Sequence, residues 1–101
     1  MIKSVGPVIE GLLRSYNLWH GYKQYQVVEG WNYIVGPELS EVTRAESITR
    51  GVLRVVVKDS VWAYHLSMLK PKLILKLNDH AGGKVVKDIF FKIEPFDKKD
   101  N

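Results

Sequence analysis

The chain has 101 residues, 46% of them hydrophobic and 26% charged, a composition that fits one soluble domain with a single modest core. Fifteen Lys and Arg against eleven Asp and Glu leave a net charge of +4, a bias toward polyanionic partners that falls well short of a histone-like excess. The lack of cysteine excludes disulfides, thiolate nucleophiles, zinc ribbons and iron–sulfur clusters, and no run approaches the roughly 18 apolar residues of a membrane span.

The opening stretch, MIKSVGPVIEGLLRSYN, has no continuous apolar run followed by a small-residue cleavage site, so a signal peptide is not expected and the chain reads as cytoplasmic. Val5, Val8, Ile9, Leu12, Leu13 and Tyr16 recur at helical spacing, with Pro7 near the start, and predict a first helix that NLWHG breaks. A second helix from about Tyr22 carries Tyr25, Val27, Val28, Trp31, Ile34 and Val35, and Gly36-Pro37 stops it. After PELSEV, the β-branched VTRAESITR reads as a strand, and Arg50-Gly51 turns it into VLRVVVK. There Leu53, Val55 and Val57 share one face and Arg54, Val56 and Lys58 the other.

A third helix starts after an Asp59 or Ser60 N-cap and ends near NDHAGGK. Trp62, Leu66, Leu69, Leu73 and Leu77 form one arc of it, a core seam against the sheet. Tyr64, Met68 and Leu75 form the opposite arc, with Val61 beside them and His65, Lys72 and Lys76 between the two. Cover by the N-terminal helices is the expected fate of that second arc; docking of a partner is the alternative. Pro71 is expected to kink or restart the helix. VVKDIFFKI gives the last strand, with Ile89, Phe91 and Ile93 on one face and Asp88, Phe90 and Lys92 on the other. The charged residues 95–101 read as a tail beyond one domain spanning residues 1–94. The order α-α-β-β-α-β makes an α+β fold, a three-stranded sheet with helices packed on one face. Trp31 joins Leu53, Val55, Val57 and the Trp62 arc as core.

No chemistry-bearing constellation emerges. His20, His65 and His80 lack partners at metal-ligand spacing, and no carboxylate pair, nucleophile elbow or Gly-rich nucleotide fingerprint is present. AGGK is not a phosphate-binding P-loop, since no Ser or Thr follows Lys84 and a strand comes next; a flexible turn is the better reading. An enzyme, a cofactor, a metal and a small-molecule substrate are therefore not expected. The outer sheet face, with Arg54, Val56, Lys58, Phe90 and Lys92 and with Arg44 and Glu46 near by, has two readings. It is a solvated face with one stray aromatic, or a surface where cations meet phosphates and Phe90 stacks a base.

The stretch of roughly residues 30–93 resembles the globular domain of the DciA-like proteins of bacteria. The resemblance rests on Trp31 followed by Val35-Gly36, on Gly51, Leu53, Val55 and Val57, on Trp62-Ala63, and on Leu66, Leu69, Leu77 and Asn78. It implies a KH-like domain that binds the replicative DNA helicase, assists its placement on DNA, and contacts single- or double-stranded DNA itself, close to the nucleoid. Two departures qualify it. About eight residues follow the last strand where the family often carries a basic extension, so DNA contacts are expected from the folded domain. No GxxG occurs, so the nucleotide clamp of true KH domains does not transfer. Arg54, Lys58, Lys72, Lys76, Lys84, Lys87 and Lys92 are the expected phosphate contacts, with Tyr64, Met68 and Leu75 a candidate partner surface. The alternatives are a protein-interaction adaptor without a nucleic-acid role and an RNA-binding KH-like module.

Overall fold

In a computed structural model that describes residues 5–96, with side chains from residue 18 onward, the chain forms helices α1 (Val5–Val35), α2 (Pro37–Ser40) and α3 (Ser60–Ala81). Strands β1 (Thr43–Thr49), β2 (Val52–Val57) and β3 (Asp88–Ile93) complete it. The order is α-α-β-β-α-β, and the three-stranded mixed sheet with helices against it is consistent with a KH-like fold. β2 is central, antiparallel to β1 and parallel to β3.

The two leading helices are divided differently from the expectation. NLWHG does not break α1, which runs unbroken through it to Val35. The stretch holds no proline, Gly21 keeps a negative φ, and one glycine inside a helix costs only about 1 kcal/mol against alanine. The break falls instead at Gly36, whose φ of 92° no L-residue adopts readily, and Pro37 opens the single turn of α2. The apolar seam expected at Val5, Val8, Ile9, Leu12, Leu13 and Tyr16 lies outside the described side chains.

The hairpin turn is two residues long. Arg50 (φ 53°) and Gly51 (φ 84°) both lie in the left-handed region, as the type I′ turn that matches strand twist requires. A side chain at Gly51 would stand 2.9 Å from the Lys87 stem, so glycine is needed there twice over.

The core lies on the inner face of the sheet. Leu53, Val55, Val57 and Ile89 meet Leu66, Leu73 and Leu77 of α3 and Val27 and Trp31 of α1, all of them buried. Trp62 and Leu69, expected inside the seam, are half-buried and pack on the margin of this cluster. Asp59 caps α3, its carboxylate accepting from the Trp62 amide at 3.0 Å. The helix neither stops nor restarts at Pro71, which sits on its solvent side.

Two polar devices fix the elements around that core. The buried Trp31 indole donates to Thr43 Oγ1 (2.8 Å), and the Thr43 hydroxyl donates to the Leu39 carbonyl (2.6 Å), tying α1, α2 and β1 at one point. At the other end of the fold, Asn78 Oδ1 accepts from the Val85 and Val86 amides (3.0 and 2.7 Å) while its Nδ2 donates to the Val86 carbonyl (2.9 Å). Gly82, at φ 77°, and Gly83 both return their amides to the Asn78 carbonyl.

Thr43→Val keeps the shape but removes the acceptor of a buried indole N–H, and is expected to cost about 1–3 kcal/mol in denaturant unfolding. Asn78→Ala strips three hydrogen bonds from the α3–β3 connection. It is expected to cost at least as much, and hydrogen exchange at Val85 and Val86 is expected to rise more than exchange in β2.

Candidate functional site

The basic residues named from the sequence do not form one patch. The fold distributes them over three surfaces that differ in whether each cation already has a carboxylate.

On the outer sheet face the cations are paired. A β-bulge between Ala45 and Ser47 inserts Glu46 opposite Arg54, and Glu46 lies 3.9 Å from Arg54 and 3.6 Å from Arg44. Glu94 lies 3.6 Å from Arg44 and 3.8 Å from Lys92. Exposed pairs of this length contribute little to stability, on the order of 0–1 kcal/mol each. Their consequence is electrostatic, because two carboxylates stand among three cations where phosphates would have to bind. Arg44 also lies over Phe96 and Arg54 over Phe90, with guanidinium carbons 5.0 and 5.4 Å from the ring centroids. Phe90 is half exposed, but a cation already occupies its face. Val56, expected in the open beside Arg54 and Lys58, is fully buried. It sits on the central strand, flanked in the register by Arg44 of β1 and Lys92 of β3.

A second surface gathers cations without carboxylates. Arg50 and Gly51 of the hairpin turn, Lys84, Val85 and Lys87 of the α3–β3 connection, and His20 and Gln24 of α1 line one cavity of about 400 Å³. Lys87 is held by its amide, which donates to the Gly51 carbonyl at 2.7 Å. One step along α1, Lys23 lies 5.6 Å from the centroid of the partly exposed Trp19 ring, and both reach the Gly82-Gly83 turn. Among the described residues, Lys23, Arg50, Lys84 and Lys87 form no ion pair within 4 Å, and no carboxylate lines the cavity. Lys84 and Lys87 were legible in the sequence, whereas Trp19, Lys23 and Arg50 were missed. Had NLWHG been read as helix, the i,i+4 spacing of Trp19 and Lys23 would have put them on one face. Lys58 is not part of this group, since it lies at the opposite end of β2, roughly 20 Å of strand away.

The third surface is the outward side of α3. Tyr64, Met68 and Leu75, expected to be covered by a helix, are 71%, 66% and 71% exposed, and Val61 is 75% exposed. α1 meets α3 along another margin, where Tyr33 and Ile34 form a cleft with Lys76, Asp79 and His80. α1 therefore leaves the outward arc open. Lys72 and Lys76 border this arc and belong to neither of the other two surfaces. α1 has an open side of its own, carrying Leu18, Tyr22, Tyr25 and Tyr33. Tyr25, counted among the apolar positions of its helix, points to solvent there.

Lys70 and Asp88 close a cleft of about 510 Å³ between α3 and the edge of the sheet, 3.1 Å apart. The hydrogen bond from Lys70, together with that from the Ile89 amide (2.8 Å), holds the Asp88 carboxyl below the ordinary aspartate range. A lowered folded-state pKa favours folding above the unfolded aspartate value, and that contribution fades as pH falls through the folded one. Among the described residues no group of three or more His, Asp or Glu could hold a metal ion, and no helix is long and apolar enough to cross a membrane. In a carboxyl NMR titration Asp88 is expected to have its midpoint below that of free aspartate. Lys70→Ala is expected to move the midpoint upward, and an unmoved midpoint would remove Lys70 as the cause.

Comparison with known families gives one match. The model of the family described as Dna[CI] antecedent, DciA, covers residues 4–91. No curated protein matches the chain. The matched span takes in all three strands but the last residues of β3, together with the Asn78 connection, the carboxylate-free cluster and the open side of α3. This chain belongs to the DciA family, which is associated with loading of the replicative helicase, and so has a helicase-related role in DNA replication.

Proposed function

We propose that this protein acts by binding, without catalytic turnover: it engages the replicative helicase and DNA together and raises the helicase's occupancy of DNA. The observation that carries the DNA half of this reading is the cluster of Lys23, Arg50, Lys84 and Lys87, four cations that form no ion pair among the described residues, beside a partly exposed tryptophan. Phosphates supply the missing negative charge, and the amides and stems around Gly51 and Gly82-Gly83 hold the cations in place. Little base specificity is expected, because contacts of this kind read the backbone of DNA. The paired face with Arg54, Phe90 and Lys92 is the weaker candidate, since phosphates there must displace Glu46 and Glu94. The RNA-binding KH reading lacks its GxxG clamp. The adaptor reading is supported by the open side of α3, which supplies the protein-binding half of the same function and does not replace the DNA half.

The test is a titration of single-stranded DNA at several salt concentrations. Each phosphate-neutralising cation contributes a slope of about 0.7 in log affinity against log salt, so Lys84→Ala with Lys87→Ala is expected to flatten the slope by roughly 1.4. Arg54→Ala with Lys92→Ala is expected to change it by less than about 0.5. The reverse pattern would move the DNA site to the outer sheet face. Wild-type protein that leaves helicase occupancy of DNA unchanged would refute the helicase half.

A further inference from the structure

The outward face of α3 has a pattern that solvent exposure alone does not require. Val61, Tyr64, Met68 and Leu75 are each about two-thirds or more exposed, and with Pro71 they follow one another at steps of three and four residues. That alternation is the 3.5-residue period of a seam between two packed helices, here roughly 21 Å long. Beside its first residue, Val61, Trp62 and His65 border a hollow of about 220 Å³, room for one large side chain. The two margins of the seam differ. His65, Lys72 and Lys76 run along one and are exposed, while Ser60 and Ser67 occupy the other.

We infer that this face docks an amphipathic helix whose apolar stripe is bordered on one side by carboxylates. The inference deepens the helicase reading and rests on it, the helix being an element of the helicase. Charge complementarity selects the occupant. A second copy of this chain, packed antiparallel on the same seam, would gather both basic margins on one side of the pair, and like charges collected there are unfavourable. A polyanion such as DNA would match the lysines but would leave Tyr64, Met68 and Leu75 without a partner. An acidic-margined helix satisfies both halves of the surface, the apolar seam supplying most of the affinity and the charged margin its orientation. Lys72 and Lys76 then serve protein recognition, and the DNA-binding cations are those at the other end of the fold.

The experiment measures affinity for the replicative helicase of the same host, with DNA affinity as the control for a folded domain. The substituted side chains are exposed, so the fold is expected to survive. Met68→Gln with Leu75→Gln is expected to weaken helicase binding at least about tenfold and to leave DNA affinity within about twofold. Lys72→Glu with Lys76→Glu is expected to weaken helicase binding about as much. Ser67→Glu, on the uncharged margin, is expected to change it less than about twofold. Helicase binding that survives the Gln pair would overturn this inference and leave the helicase reading standing. An equal response to Glu at Ser67 and at Lys72 and Lys76 would overturn the acidic margin. A wild-type dimer that the Gln pair dissolves would assign the face to a second copy instead. No wild-type binding at all would refute the helicase reading and this inference with it.

Discussion

The connection from α3 to β3 is the constraint on which the rest of the fold turns. β3 runs parallel to β2, so the chain must leave the end of α3 and re-enter the sheet beside the hairpin turn within residues 82–87. The connection pairs one of its own amides internally, that of Val85 with the Gly83 carbonyl at 3.0 Å, and Asn78 supplies the further partners. Its carboxamide oxygen accepts from the Val85 and Val86 amides and its Nδ2 donates to the Val86 carbonyl, in the manner of a neighbouring strand. The buried Val85 and Val86 are thereby pinned into the core, and the intervening lysines are turned outward. Gly51 completes the arrangement from the other side, its carbonyl accepting from both Lys87 and Asp88. Lys84 and Lys87 are thus on short, anchored backbone, and ordering them on a phosphate costs less entropy than it would on a free loop.

Carboxylate placement separates surfaces that the count of lysines and arginines makes look alike. Arg54 and Lys92 have the same formal charge as Lys84 and Lys87, but Glu46 and Glu94 lie within 4 Å of the former pair. At that distance a carboxylate cancels most of the field a phosphate would feel one Debye length away, about 8–10 Å at ordinary ionic strength. The bulge at Glu46 is what brings this about. By adding one residue opposite Arg54 it places an acid among the arginines. On the outer sheet face the cations stand beside their own carboxylates, whereas among the described residues Arg50, Lys84 and Lys87 at the hairpin end form no ion pair.

Much of the fold was legible in the sequence because it follows from period and from glycine and proline chemistry. The alternation in Leu53, Val55 and Val57, the Asp59 cap, the Arg50-Gly51 turn and the Gly36-Pro37 stop are local signals with local outcomes. What was not legible depends on neighbours far along the chain. Val56 is buried because Arg44 and Lys92 lie on either side of it, and neither register nor bulge can be read from one strand. Tyr64, Met68 and Leu75 were expected under the N-terminal helices because a domain of three helices and one small sheet is expected to cover a second apolar arc with a neighbouring helix. A helix that runs straight through NLWHG crosses α3 on one margin and leaves the outward arc uncovered. The misread glycine-containing stretch hid the pairing of Trp19 with Lys23.

α3 is the element that links the outward seam to the hairpin end. Its buried seam of Leu66, Leu73 and Leu77 fixes it to the sheet, its last turn carries Asn78, and its outward arc carries Met68 and Leu75. Met68 lies 14 residues of helix, roughly 21 Å, from Gly82, and Leu75, the last residue of the seam, about 10 Å from it. On the reading proposed above, the docking face and the hairpin end lie on one rigid element, the arrangement an accessory factor needs if it is to hold a helicase close to DNA. Linking two modest interactions in this way raises the effective concentration of one partner near the other without demanding high affinity from either. A rigid helix fixed between the two sites serves that purpose better than a flexible linker, because it sets the relative orientation of the partners as well as their proximity.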